Sequence, residues 1–173
     1  PVPRVLVAAP RYLAARGIPF LMEVTERTET DRKGGHIARM ADGRLLLREL
    51  AQCPKAEHSD FQDIRKYRHF NTNNLWVDVN ALSERLAASG GILDLPLIVN
   101  RKSIDSNDPS SPAIFQLETA MGAALSVFDR AEALLVPRTR FAPVKTTADL
   151  LALWSDAYIL SDEMHIIPAL KRS

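Results

Sequence analysis

The pattern that most constrains this chain is a pair of short apolar runs around a glycine turn. Residues 36–40 and 44–50 flank Ala41-Asp42-Gly43. Two such runs joined by a Gly-containing turn read as a β-hairpin, so antiparallel pairing is written into the local sequence. Around the hairpin, helix-period and strand-period segments alternate irregularly. Residues 4–16 place Val5, Leu6, Ala9 and Leu13 at helical spacing, and Gly17 and Pro19 stop that helix. Residues 20–24 read as a buried strand, and 60–67 as a short helix capped by Ser59 or Asp60. Residues 70–77 read as a strand, and 80–88 as a helix ending at Gly90-Gly91. Strands are expected at 95–99 and 133–136, with an exposed loop at 101–112. Residues 116–128 read as a helix with Met121, Ala124, Leu125 and Phe128 on one face. Residues 146–156 read as another, with Leu150, Leu151 and Trp154 as its apolar face and a capping-box-like start at Thr146 and Asp149. The sum is an α/β fold with a mixed sheet and one β-hairpin.

The chain's 173 residues are enough for one domain with a core. The net charge is +1 and the 22 basic residues are scattered in short clusters such as Arg65-Lys66 and Lys171-Arg172. Nothing in that balance calls for a nucleic acid or an acidic membrane surface. A single cysteine, Cys53, forms no intrachain disulfide and builds no cysteine zinc site, which fits a reducing, cytoplasmic setting. His36, His58, His69 and His165 are dispersed without an i, i+4 pair, so no metal-ligating cluster is expected. No apolar run reaches the roughly 18 residues of a membrane span, and no signal-peptide pattern opens the chain. The first residue is Pro1, and an apolar segment at 164–168 runs almost to the end. Both ends read as cut from something longer.

Three polar groups carry chemistry. Lys33-Gly34-Gly35 lets a backbone approach a ligand with no side chain in the way, or is simply a turn. Asn71-Thr72-Asn73-Asn74 interrupts an apolar strand. Alternation would put the amides of Asn71 and Asn73 on one face, suited to sugar hydroxyls. The same run also fits an Asx-turn or a bulge. Lys145 stands just before a helix start, where free N–H groups and the helix dipole favour a phosphate, or it is an exposed lysine near an ordinary cap. Glu49, at the end of a hairpin strand, is a further candidate for sugar hydroxyls or for an arginine partner. No Gly-x-Ser-x-Gly elbow, dinucleotide fingerprint or Walker A loop is present.

Taken in order, these groups fall into a longer series: Met22-Glu23-Val24-Thr25, Lys33-Gly34-Gly35, Phe70-Asn71-Thr72-Asn73-Asn74-Leu75-Trp76, residues 116–124, Pro137-Arg138-Thr139-Arg140-Phe141 and residues 143–150. The series resembles the UTP–glucose-1-phosphate uridylyltransferases of the eukaryotic type over residues 18–158. The resemblance implies a nucleotidyltransferase fold of the glycosyltransferase-A-like, Rossmann-like kind. It implies synthesis of UDP-glucose and pyrophosphate from UTP and glucose 1-phosphate with Mg²⁺. It also implies that Gly34 and Gly35 bring backbone to the glucose, that Asn71 and Asn73 contact its hydroxyls, that Glu49 is a further sugar contact, and that Lys145 is the catalytic residue reaching the phosphates.

The family's Gly-rich nucleotide loop, uracil contacts and metal ligands would lie upstream of residue 1, and its β-helix domain downstream. Residues 1–173 are therefore expected to be the C-terminal, sugar-phosphate portion of a catalytic domain, inactive alone. Surface left bare by the missing parts would promote self-association, with strands 20–24 and 95–99 as open edges. Two other readings stand beside this one: a UDP-sugar or UDP-N-acetylhexosamine pyrophosphorylase, and a non-catalytic binding or assembly domain.

Overall fold

The computed structural model describes residues 5–162 and 164–169; the side chains of Val5 and Leu6 and the Lys171-Arg172 pair lie outside what it describes. The first helix, α1 (Val5–Arg16), ends where Gly17 takes φ +58°. The Ile18 amide donates to Leu13 O at 3.0 Å and the Gly17 amide to Ala14 O at 3.3 Å, the paired bonds of a Schellman cap. Ile18 and Leu13 pack together with Ala9 and Leu21 as that cap's apolar contact.

Five strands form the main sheet: β1 (Phe20–Glu26), β2 (His36–Arg39), β3 (Leu45–Arg48), β4 (His69–Val77) and β7 (Glu132–Leu135). Their order is β3-β2-β4-β1-β7. The β1/β7 pair is parallel and the others are antiparallel, so the sheet is mixed, as the irregular alternation implies. The hairpin β2–β3 pairs His36 with Arg48 and Arg39 with Leu45. Its turn places Gly43 at φ +90°.

β1 is the interior strand that both faces depend on. Phe20, Met22 and Val24 face a cluster with Leu47, Ala124, Leu125 and Phe128, while Leu21 faces α1. Each of these side chains larger than alanine contributes about 1.5–3 kcal/mol on burial. The sequence led us to expect an open edge at residues 20–24; the strand is interior instead, because β4 and β7 flank it on both sides.

A second departure lies at 116–128. The structure has β6 (Ala113–Thr119) followed by a 3₁₀ turn (Met121–Ser126) instead of a helix. β6 pairs with β5 (Leu97–Ser103) in a separate two-stranded hairpin. The period-two signal was present: Phe115 and Leu117 alternate with Gln116 and Glu118. Leu97, Val99, Phe115 and Leu117 share one face of this hairpin and are all exposed. Within and just after the 3₁₀ turn, Ala124, Leu125 and Phe128 do enter the core, while Met121 is exposed.

The helix expected at 60–67 is also shorter and earlier, α2 (His58–Phe61), and has no side-chain cap. The Asp63 carboxylate accepts from the Arg65 amide at 2.9 Å, and Asp60 accepts from the Tyr67 hydroxyl at 3.0 Å. Such local bonds offer the backbone an alternative to the helix. Helix α3 (Val79–Ala88) is capped by Asp78, which accepts from the Asn80 and Ala81 amides, and it ends at Gly90 as expected. Helix α4 (Thr147–Trp154) starts on the Thr146–Asp149 capping box, yet Leu151 and Trp154 of its apolar face are exposed. A last hairpin joins β8 (Tyr158–Leu160) to β9 (Ile166–Pro168). Among the described residues no helix is long and apolar enough to cross a membrane.

Residues 27–35 are held by Arg27. Its guanidinium donates to Arg32 O at 2.7 Å, Phe61 O at 3.1 Å, and Asp31 O and Tyr67 O at 3.2 Å. Beside it, His36 is fully buried, stacked on Tyr67 at 4.1 Å and tilted on Phe61 at 4.4 Å. Burial, reinforced by the Arg27 and Arg48 cations, pushes the His36 pKa from the ordinary 6.5 down to about 3.

The unfolded chain therefore takes up a proton at His36 at a pH where the folded chain does not. This contribution to stability is fully present above the ordinary value of 6.5 and is lost as pH falls toward about 3. Urea unfolding across that range is expected to show a falling midpoint. His36→Gln should flatten the slope by up to about 1.4 kcal/mol per pH unit.

Candidate functional site

The Asn-rich run is a bulge in the middle of β4. Met22 pairs with Leu75 and Val24 with Asn71, so the single residue Glu23 faces Thr72, Asn73 and Asn74. The extra residues bend the strand and break the alternation that would have set Asn71 and Asn73 on one face. Asn73 sits at φ +63°, and its amide donates to the Asn71 Oδ1 at 2.8 Å, an Asx-turn inside the bulge. Strand, bulge and Asx-turn are thus all present, and the result turns polar side chains out of the sheet.

Those side chains line a cavity of about 960 Å³. Its lining includes Gly34, Asn71, Asn73 and Lys145, four of the six residues singled out from the sequence. Gly35 and Glu49 stand beside it and are not part of its lining. The Asn71 amide donates to Gly35 O at 3.0 Å, which ties the glycine pair to the bulge. A Cβ on Gly34 would overlap the Phe70 ring, and one on Gly35 would overlap the Glu49 carboxylate. Close approach to the Phe70 ring therefore favours glycine at position 34, while at position 35 a Cβ would displace the end of the Glu49 side chain. Burial raises the pKa of the half-buried Glu49, while the Lys145 ammonium opposes that shift.

Lys145 precedes α4, whose first turn carries a carboxylate of its own. Asp149 Oδ2 accepts from the Lys145 amide at 3.0 Å and the Thr146 amide at 2.8 Å. These bonds hold the Asp149 carboxyl below its usual range. The dipole of α4 is thus answered by Asp149, and what the site offers an anion here is the exposed Lys145 side chain.

Four more charged residues line the cavity. Arg138 grips the buried Asp31 with two bonds, 2.8 Å to Oδ2 and 3.2 Å to Oδ1. Burial works to raise the Asp31 carboxyl, but Arg138 and Thr28 outweigh it and hold it low. Arg140 Nε donates at 3.2 Å to Glu23, which is fully buried on β1. Among the described residues Lys33 and Lys145 form no ion pair within 4.0 Å, so they are the cations left to meet a ligand. Phe70 and Phe141 close one side edge-to-face, 5.2 Å apart. A smaller adjoining cavity of about 370 Å³ shares Asn73, Asn74 and Arg140. A wall of amides beside free ammonium groups suits a ligand with hydroxyls at one end and a phosphate at the other.

The profile of the UTP–glucose-1-phosphate uridylyltransferase family matches residues 5–173. The chain belongs to that family. It is 42% identical over 149 residues to the UTP–glucose-1-phosphate uridylyltransferase of Saccharomyces cerevisiae and 43% over 148 residues to that of Solanum tuberosum. Each alignment covers 86% of this chain and 29% of the relative, so the chain spans less than a third of the length of these relatives. Among solved structures, a UDP-glucose phosphorylase from Trypanosoma brucei superposes with a TM-score of 0.85 at 47% identity, covering 94% of this chain and 35% of that one. A mutant UDP-glucose pyrophosphorylase from Leishmania major, crystallised in complex with UDP-glucose, superposes with a TM-score of 0.81 at 51% identity, covering 92% and 36%.

The Mg²⁺ implied by likeness to the uridylyltransferases finds no ligand set among the described residues, where no group of three or more His, Cys, Asp or Glu converges. The two carboxylates lining the main cavity are committed, Asp31 to Arg138 and Asp149 to the α4 cap.

Lys33, Arg138, Arg140 and Phe141 lie in the matching motifs and Asp31 lies just before one, yet residue type alone assigns them no place in the site. Glu23 did leave a signal, as a carboxylate inside an apolar strand. For the glycine pair, Gly34→Ala is expected to cost about 1–3 kcal/mol by driving the Phe70 ring toward the cavity. Thermal unfolding measures it, and trimming Phe70 to Leu in the same chain should recover part of the loss.

Proposed function

We propose that this chain is the sugar-phosphate portion of a nucleotidyltransferase catalytic domain that makes UDP-glucose and pyrophosphate from UTP and glucose 1-phosphate. What supports the reading is the single cavity on which the Asn71 and Asn73 amides and the Lys145 ammonium converge, in a chain of the uridylyltransferase family.

In this reading the amides exchange hydrogen bonds with glucose hydroxyls. Glu49, made easier to protonate by burial, accepts or donates at the sugar's edge beside Gly35. Lys145 opposes the negative charge of the phosphates, which grows on the oxygens around the α-phosphorus of UTP during transfer. A glucose 1-phosphate oxygen attacks that phosphorus in line. A new P–O bond forms as the bond to the β-phosphate oxygen breaks, and pyrophosphate leaves with the bonding electrons. No covalent enzyme intermediate is needed; the work is positioning and electrostatics. UTP, Mg²⁺ and a cytoplasmic location belong to the same reading. So does self-association through the exposed apolar faces of the β5–β6 hairpin and α4.

Isothermal titration tests it. Glucose 1-phosphate is expected to bind the chain, and Lys145→Ala to weaken that binding about tenfold, the loss of one charge-assisted contact. UTP is expected to bind weakly, with no UDP-glucose formed by these residues alone. Robust turnover would refute the partial-domain reading, and no heat with glucose 1-phosphate would refute the site.

A further inference from the structure

Glu23 sets a carboxylate in the core. Its side chain is fully buried on the α1 face of β1, the face that also carries Leu21 and that packs Trp76 and Leu134. A carboxylate in such surroundings costs several kcal/mol unless every lone pair is answered. Here the donors are Trp76 Nε1 at 2.9 Å, Asn74 Nδ2 at 3.4 Å, Arg140 Nε at 3.2 Å and a second Arg140 nitrogen at 3.5 Å. The Glu23 carbonyl also accepts from the Thr72 hydroxyl at 2.9 Å.

These donors come from two separate segments. Thr72 and Asn74 belong to the β4 bulge that presents Asn71 and Asn73, and Trp76 follows it on the same strand. Arg140 belongs to the 3₁₀ turn Arg138–Arg140, five residues before Lys145. Both segments line the main cavity. Stability alone does not call for this arrangement, because an apolar replacement of a whole buried ion pair is often neutral or stabilising. Orientation does call for it, since one carboxylate fixes the bulge and the lysine-bearing segment to a common point.

We propose that Glu23 is a positioning residue of this site, setting the distance between the amide wall and Lys145, and that Arg140 is its working partner. The inference rests on the cavity being the glucose 1-phosphate site. It gives Arg140 a fixed role as well: its charge is spent on Glu23.

The test uses the whole ¹⁵N-labelled chain and inorganic-salt-free glucose 1-phosphate, read by two-dimensional NMR. Glu23→Gln is expected to shift the Trp76 indole N–H resonance and to weaken binding about tenfold. Leu134→Ala, which trims the packing opposite Glu23 on β7, is expected to lower the melting temperature while leaving affinity within about twofold. Arg140→Lys keeps the charge but loses the two-nitrogen grip. It serves as the second variant if Glu23→Gln does not fold, and is expected to weaken binding while the fold persists. Where both fold, the double variant should lose no more affinity than the worse single one.

No binding by the unaltered chain overturns the site reading and this inference with it. Binding that survives Glu23→Gln and Arg140→Lys unchanged overturns the positioning role and leaves the site reading intact. Losses that simply add in the double variant, or an equal loss in Leu134→Ala, also overturn the positioning role.

Discussion

β1 is buried on both faces, and that burial governs everything arranged around it. Phe20, Met22 and Val24 anchor one layer and Leu21 the other. The same burial makes Glu23 and Thr25, on the Leu21 face, expensive to place. Glu23 is tolerated because the chain returns donors to it from two directions, a bulged strand on one side and an arginine-bearing turn on the other. Hydrophobic packing thus provides the frame, and the electrostatic demand of one misfit side chain decides how the polar segments lie on it.

A second ion pair acts in parallel. Arg138 and Asp31 join the same 3₁₀ turn to the segment leading into the glycine pair. Arg27, donating to four carbonyls, then ties that segment to the region around α2. The site is built from irregular backbone, yet each irregular piece is bound to a strand or to its neighbour by a charged side chain. The two arginines that line the cavity are neutralised in doing so, and the lysines are the cations that remain.

Much of this was legible in the residues. The hairpin, the buried strand at 20–24, the Gly17 and Gly90 helix ends and the Thr146–Asp149 box follow from short-range chemistry, and they stand where that chemistry puts them. Errors arose where two periods compete. Residues 116–128 contain both a helical stripe and a strict alternation, and only pairing with β5 decides between them. Residues 60–67 have helical composition, but Asp60 and Asp63 bond locally instead. In the site, the residues that stand out by type were found. Those that matter through their partners, such as Glu23 and Arg140, needed the third dimension. The glycine pair, Phe70 and Glu49 were all visible, but the contacts between them were not.

Asn73 carries a burden that becomes clear when the backbone and the cavity are considered together. Its φ of +63° is comfortable for glycine and tolerable for asparagine or aspartate, and strained for almost everything else. Its place on the cavity wall asks for an amide. Glycine would satisfy the turn and offer the ligand nothing. Glutamine would restore the amide and strain the turn. Aspartate would keep the turn but exchange a neutral donor and acceptor for a negative charge facing the sugar phosphate of the proposed reading. Two independent filters, one on shape and one on chemistry, overlap at a single amino acid, so drift at this position has almost nowhere to go.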